Sequence, residues 1–171
     1  MSTERISSYE EFWPFYLSEH RDTRSRRLHF LGTTGFTAAV VGSFISNPIG
    51  FGMAMAGWGL IMRDGLKKGE AERPSFRHVL GMLVLPTLAS PVLYPAGVVF
   101  AYGCAWAGHF GFEKNEPATF KYPLWSLASD YKMYGQMVQG RLWSGDPLAE
   151  LGLDDPFGGE EVISVTDAPA A

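Results

Sequence analysis

The chain has 171 residues, 46% of them hydrophobic and 19% charged, with 18 acidic against 14 basic side chains and a mean hydropathy near zero. That length fits one domain, and a net charge of −4 offers no basic surface for nucleic acid. The near-zero average hides two extremes, because residues 28–62 and residues 78–112 each run for 35 positions without Asp, Glu, Lys or Arg. A soluble helix needs a wet face, so charge-free stretches of this length point to a lipid-facing protein. The acidic balance is equally uneven. Residues 145–171 hold seven acidic and no basic side chains, leaving 14 basic against 11 acidic in residues 1–144.

In chain order, Ser8 and Glu11 have capping-box spacing ahead of Phe12, Trp13, Phe15, Tyr16 and Leu17. They predict a short amphipathic helix, bent at Pro14, whose aromatics suit a membrane interface. The segment before it has no apolar stretch of the kind a cleavable signal requires. Asp22 and Thr23 are N-cap candidates for a second helix that carries Arg24, Arg26 and Arg27 into the first charge-free block.

That block breaks at Ser46-Asn47-Pro48, a turn signal. A second apolar segment follows over 49–62, rich in glycine and alanine, which lets helices approach closely in lipid. Residues 63–77 read as a polar loop with five basic and three acidic side chains. The second block breaks near Pro86, Pro91 and Pro95, and Gly97, Ala101, Ala105 and Gly108 then supply another packing face. Cys104, the single cysteine, reads as a small core residue. Beyond Pro123, the residues Leu124, Leu127, Tyr131, Tyr134 and Val138 recur at helical spacing, while Asp130, Lys132, Gln136 and Gln139 mark wetter positions.

The expected fold is therefore all-α: four short transmembrane or re-entrant helices, with amphipathic interfacial helices before and after. Residues 1–144 form the helical membrane domain that holds the metal-site candidates, and 145–171 are expected to form an acidic tail, most of it disordered and solvated. Each half-block is shorter than the ~20 residues of a full span, so a soluble bundle with an apolar core is the competing reading. With four segments, all 14 basic residues fall on one side, which the positive-inside rule makes cytoplasmic together with both termini.

Chemistry rests on few groups. Of the four histidines, His20 ends the first helix, His29 opens the first membrane segment and His109 closes the fourth, so the topology brings all three to one rim. On one continuous helix, the nine-residue step from His20 to His29 would place them on opposite faces. They converge only if the chain breaks, and Asp22-Thr23 offers the break. His109 and Glu113 share a face if that helix continues. Three histidines, or two with a carboxylate, suit non-haem Fe(II), and zinc accepts the same donors. A polar rim at headgroup depth is the plainer alternative. His78 has no partner at suggestive spacing and reads as a surface or interface residue. No phosphate-binding glycine loop and no G-x-S-x-G elbow is present.

Three stretches carry a resemblance: Phe12 to His20, Leu28 to Thr33, and above all Trp106 to Leu127, with its run His109-Phe-Gly-Phe-Glu113-Lys-Asn-Glu-Pro. They resemble a membrane family of 2-hydroxy fatty acid dioxygenases over roughly 9–142. Its fungal member is an Fe(II)-dependent enzyme of phytosphingosine breakdown at the endoplasmic reticulum. The resemblance implies an integral protein of a bacterial inner membrane, or of the endoplasmic reticulum in a eukaryote. It implies a 2-hydroxy fatty acid and O2 as substrates, C1–C2 cleavage to an acid one carbon shorter, and Fe(II) held by His20, His29 and His109. Glu113, Lys114 and Asn115 fall in the same motif as catalytic candidates, with Glu19 beside His20, and Arg21, Lys114 or Lys121 could steady the substrate carboxylate. The rival readings are a non-catalytic lipid-binding or scaffolding membrane protein and a zinc-dependent lipid hydrolase.

Overall fold

The computed structural model describes residues 5–70 and 74–157. Among them there are seven α-helices and no strand: α1 (Tyr9–Ser18), α2 (Thr23–Ser46), α3 (Pro48–Lys68), α4 (Phe76–Ala89), α5 (Leu93–Gly108), α6 (Pro123–Val138) and α7 (Pro147–Leu151). The starts follow from capping chemistry. Ser8 accepts from the Glu11 amide, Asp22 from the Arg24 amide and Asn47 from the Gly50 amide. Proline stands in the first turn of α3, α6 and α7, where no intrahelical donor is lost. α1 continues through Pro14.

Helices α2–α5 form a bundle in which α2 packs most extensively on α5, and α3 on α4. Small residues make the α2–α5 contact close. A Cβ added at Gly97 would lie 2.6 Å from the Ala39 Cβ, and one at Gly32 would lie 3.0 Å from the Cys104 Cβ. Asn47 donates to the Ala89 carbonyl (3.1 Å), and Ser43 meets Ser90 (2.8 Å). The 46–48 and 90–92 turns therefore sit together at one end of the bundle.

The helices at the other end make a cap. Phe12, Tyr16 and Leu17 of α1 pack with Trp125, Met133 and Met137 of α6 in a core that includes Leu142 and Leu148. Bundle and cap are joined by a buried carboxylate. Glu70, from the α3–α4 connection, accepts from the Leu124 (2.9 Å) and Trp125 (2.8 Å) amides and so caps α6, whose own N-cap Tyr122 makes no side-chain cap bond.

Several expectations are corrected. The α1 aromatics Phe12, Trp13 and Tyr16 are buried in a protein core, because α6 supplies the complementary face. The polar loop is shorter than 63–77, since Arg63–Lys68 are the last turns of α3 and close it with basic side chains that suit its C-terminal dipole. Four membrane spans are not established. α2 alone among the described helices is long and apolar enough to cross a membrane. The acidic tail is ordered at its start. α7 buries Leu148, Asp146 caps the helix, and Arg21 pairs with Asp146 and Asp155. The rest of the tail, 158–171, lies outside the described residues.

Candidate metal centre

The α1–α2 break predicted at Asp22 leaves His20 in a four-residue connection between the helices. A fully buried guanidinium fixes that connection. Arg26 donates to the carbonyls of His20 (2.9 Å), Arg21 (2.7 Å), Leu142 (2.8 Å) and Gly145 (2.8 Å). His29 stands on the second turn of α2. His109 opens a π-helical turn, His109–Glu113, that continues α5.

These three side chains, all buried, converge: one ligand atom from each lies within 4.8 Å of the other two. Their rings are 4.5–5.2 Å apart between centroids and meet edge to face. In each ring Nδ1 is already engaged. His20 Nδ1 faces the Tyr16 carbonyl (2.5 Å), His29 Nδ1 the Asp130 carboxylate (2.7 Å) and His109 Nδ1 the Asn115 side-chain oxygen (2.8 Å). All three partners are acceptors, which puts a proton on each Nδ1 and makes Nε2 the atom left for a ligand. The Nε2 atoms of His20 and His29 are buried with no hydrogen-bond partner among the described residues.

Burial, and then the charges His29 and His109 would carry, hold His20 well below the usual histidine range. Burial lowers His109 against the opposing effect of its Asn115 bond. Buried rings whose Nδ1 atoms are tied to acceptors, with Nε2 left for a ligand, are the arrangement found in histidine metal sites. Two unpartnered buried nitrogens are costly unless something occupies them. The three histidines thus fit a divalent metal.

The remaining expected site residues are not all brought there. Asn115 is: it orients His109 and donates to the Glu19 carbonyl (3.0 Å) and carboxylate (2.9 Å). Glu113 turns away and accepts from the Asp22 amide (2.9 Å). The π turn and left-handed Lys114 (φ 59°) reverse the chain, so residue 115 faces His109 in place of 113. Lys114 is exposed and donates to the Phe110 carbonyl (3.2 Å). Arg21 is committed to Asp146 and Asp155, and Lys121 stands 4.0 Å from Glu116. Among the described residues no Lys or Arg lines the cavity that opens on the histidines. His78, read as a surface or interface residue, is buried and bonds Asp64 through Nε2 (3.0 Å), apart from the cluster.

Two residues that matter were missed. Asp130 takes both the His29 Nδ1–H and the Tyr16 hydroxyl (2.6 Å), and the Tyr16 ring stacks on His20 at 4.1 Å. Burial and then the Asp130 charge raise Tyr16 well above the usual tyrosine range, so it stays a donor. A family model described as "2-hydroxy-palmitic acid dioxygenase Mpo1-like" matches residues 6–142. The chain belongs to this Mpo1-like family. The matched range begins just before α1, ends before α7 and contains all three histidines. No curated protein and no solved structure gave a significant match.

Proposed function

We propose that this Mpo1-like protein is a membrane-embedded Fe(II) dioxygenase that cleaves C1–C2 of a 2-hydroxy fatty acid. The observation that carries the reading is the buried trio of imidazoles, with one ligand nitrogen from each within 4.8 Å of the others and the Nε2 atoms of His20 and His29 unpartnered, inside the range matched by the family. Three imidazole donors leave coordination positions open, which suits non-haem iron. His20, His29 and His109 would hold Fe(II), which supplies activation of O2 and the positive charge against which a 2-hydroxy carboxylate binds where no Lys or Arg lines the cavity. The reaction balances: the 2-hydroxy acid and O2 give the acid one carbon shorter, CO2 and water. Asp130 holds the His29 ring and the Tyr16 proton in place, and Asn115 does the same for His109, so the ligands are oriented before substrate arrives.

Membrane residence is supported by the outer surface of α2–α5, where Ile45, Ile49, Met53, Leu88 and Val99 are 68–78% exposed. All four helices lie in the bilayer on this reading. The two tied turns are on the far side, and the cap and both termini are in the cytoplasm.

Full-length protein purified in detergent tests this by metal analysis and by turnover of 2-hydroxyhexadecanoate. Iron near one equivalent with O2-dependent release of the 15-carbon acid is expected. His20→Ala, His29→Ala and His109→Ala should each lose the metal and about 100-fold or more in turnover, non-additively. Zinc with lipid ester or amide cleavage, or no metal at all, would overturn the reading in favour of a hydrolase or a lipid-binding protein.

A further inference from the structure

A second cavity adjoins the one that opens on the histidines, and a shared collar of Phe36, Ala101, Tyr102, Pro123 and Leu127 lines both. The histidine side is polar, with Tyr16, Thr33, Ser126 and Asp130 on its walls. The second cavity has no ionisable residue except tyrosine in its lining and is otherwise aliphatic and aromatic. One face of α5 runs along both: His109, Ala105, Ala101, Val98 and Tyr94 recur every three or four residues. Thr33 and Phe36 continue from His29 on α2, and Leu127 and Leu124 from Asp130 on α6. The far wall is firm. Tyr94 is buried, donates to the Met82 carbonyl (2.9 Å) across α4 and α5, and is backed by Phe51.

We propose that the second cavity is the compartment for the substrate's alkyl chain, with Trp58, Met82 and Tyr94 at the methyl end as the stop that sets chain length. The inference rests on the 2-hydroxy acid reading of the histidine site and adds where the hydrocarbon goes. Fifteen helical residues separate His109 from Tyr94, a rise of roughly 22 Å. A bilayer core of about 30 Å holds two acyl chains end to end, so this path takes one long chain rather than a short one. A polar head fixed at the histidines and an apolar wall with no competing charge give the chain a single direction.

Two tryptophans make the placement measurable. Trp106 lines the histidine cavity and Trp58 the second one. In the iron-loaded full-length protein, a fatty acid brominated near its methyl end should quench Trp58, identified as the signal lost in Trp58→Phe. One brominated near the carboxylate should quench Trp106, identified with Trp106→Phe. Val98→Trp, which fills the compartment, should lower kcat/KM for 2-hydroxyhexadecanoate by about tenfold or more relative to 2-hydroxyoctanoate. Should Val98→Trp not fold, Val98→Phe reads the same ratio. Turnover with an unchanged chain-length ratio, or with equal quenching of both tryptophans by either acid, would overturn the compartment and leave the reaction standing. Methyl-end quenching of Trp58 without turnover of any 2-hydroxy acid would overturn the reaction and leave the compartment.

Discussion

In the cap, Phe12, Leu17, Met133 and Met137 are 0–1% exposed; on the bundle, Ile45, Ile49, Leu88 and Val99 are 72–78% exposed. The two regions use similar apolar side chains and point them in opposite directions. What the bundle buries includes small and polar residues, Gly32, Thr33 and Ser43 on α2 and Gly97 and Gly108 on α5. The cap folds as proteins do in water, where burial of apolar area drives packing. The bundle has instead the features proposed above for packing in lipid, close backbone approach and interhelical hydrogen bonds such as Ser43–Ser90. The histidines lie at the seam. His29 and His109 come from ends of bundle helices, and His20 is presented by the cap. On the membrane reading proposed above, that seam separates lipid from water, where a substrate with a polar head and a hydrocarbon tail would be met.

The cap should be far more sensitive to truncation of an apolar side chain than the bundle exterior. Phe12→Ala removes a fully buried ring that contacts Tyr16, Tyr122 and Trp125, and should cost about 3–5 kcal/mol. Ile45→Ala on the bundle exterior should stay within about 0.5 kcal/mol. Thermal unfolding of purified protein in detergent reads both, and similar losses would mean that the bundle exterior is packed against protein. The next test is a charge. Val99→Asp lies midway along α5 and is 72% exposed. At a water-facing site it should be nearly silent, whereas in a bilayer it costs about 3 kcal/mol. The integrated fraction in a membrane-insertion assay should fall accordingly, and unchanged insertion would place that face in water.

Much of this division was legible in the sequence. The two charge-free blocks marked the bundle, the Asn47 and Pro91 turns marked its far end, and Asp22 marked the break that lets His20 and His29 meet. Local signals of capping and charge were sufficient for these. What failed depended on tertiary partners. The α6 stripe through Leu127, Tyr131 and Tyr134 does face the histidine cavity and Phe30, but the side seated on α1 is Trp125, Ser129, Met133 and Met137. A helix sandwiched between two regions has two working faces, and apolar periodicity singles out one. Asp130 looked like a solvent marker because its two partners are 101 and 114 positions away. Glu113 was placed by α-helical spacing that the π turn cancels. Glu70 read as one more loop charge, although its carboxylate caps a helix 54 residues on.

The tail was misjudged for a related reason, since composition weighs the whole segment and one leucine anchors its start. Truncation after Ser144 removes Leu148 from the cap core, Glu150 from the Leu142 amide (2.9 Å), and the Gly145 carbonyl from Arg26. Loss of the leucine alone is worth about 1.5–3 kcal/mol; the exposed Arg21 pairs add little. A melting temperature lower by several degrees is expected. Truncation after Phe157 keeps every one of these contacts and serves as the control. Equal melting temperatures for the two would show that the cap closes without α7.

The smallest expected effect sharpens the seam itself. Asp130 belongs to a cap helix, yet its carboxylate holds a ligand candidate on the bundle, His29, together with a cap tyrosine, Tyr16, that stacks on another. Removing a carboxylate that orients a metal-bound histidine weakens metal affinity about 10- to 100-fold. Asp130→Ala should therefore lower affinity for Co(II), used as a spectroscopic probe, by that factor. Tyr16→Phe leaves the His29 bond intact and should cost less than about tenfold. The contrasting pair is His78 with Asp64, also an imidazole on a carboxylate, but on α3 and α4 and outside the cluster. Burial makes His78→Ala destabilising, yet it should leave Co(II) affinity unchanged, because no ligand candidate leans on it. If Asp130→Ala bound Co(II) as tightly as the unaltered protein, the cap would cover the centre without orienting it, and the seam would be a boundary rather than a working contact.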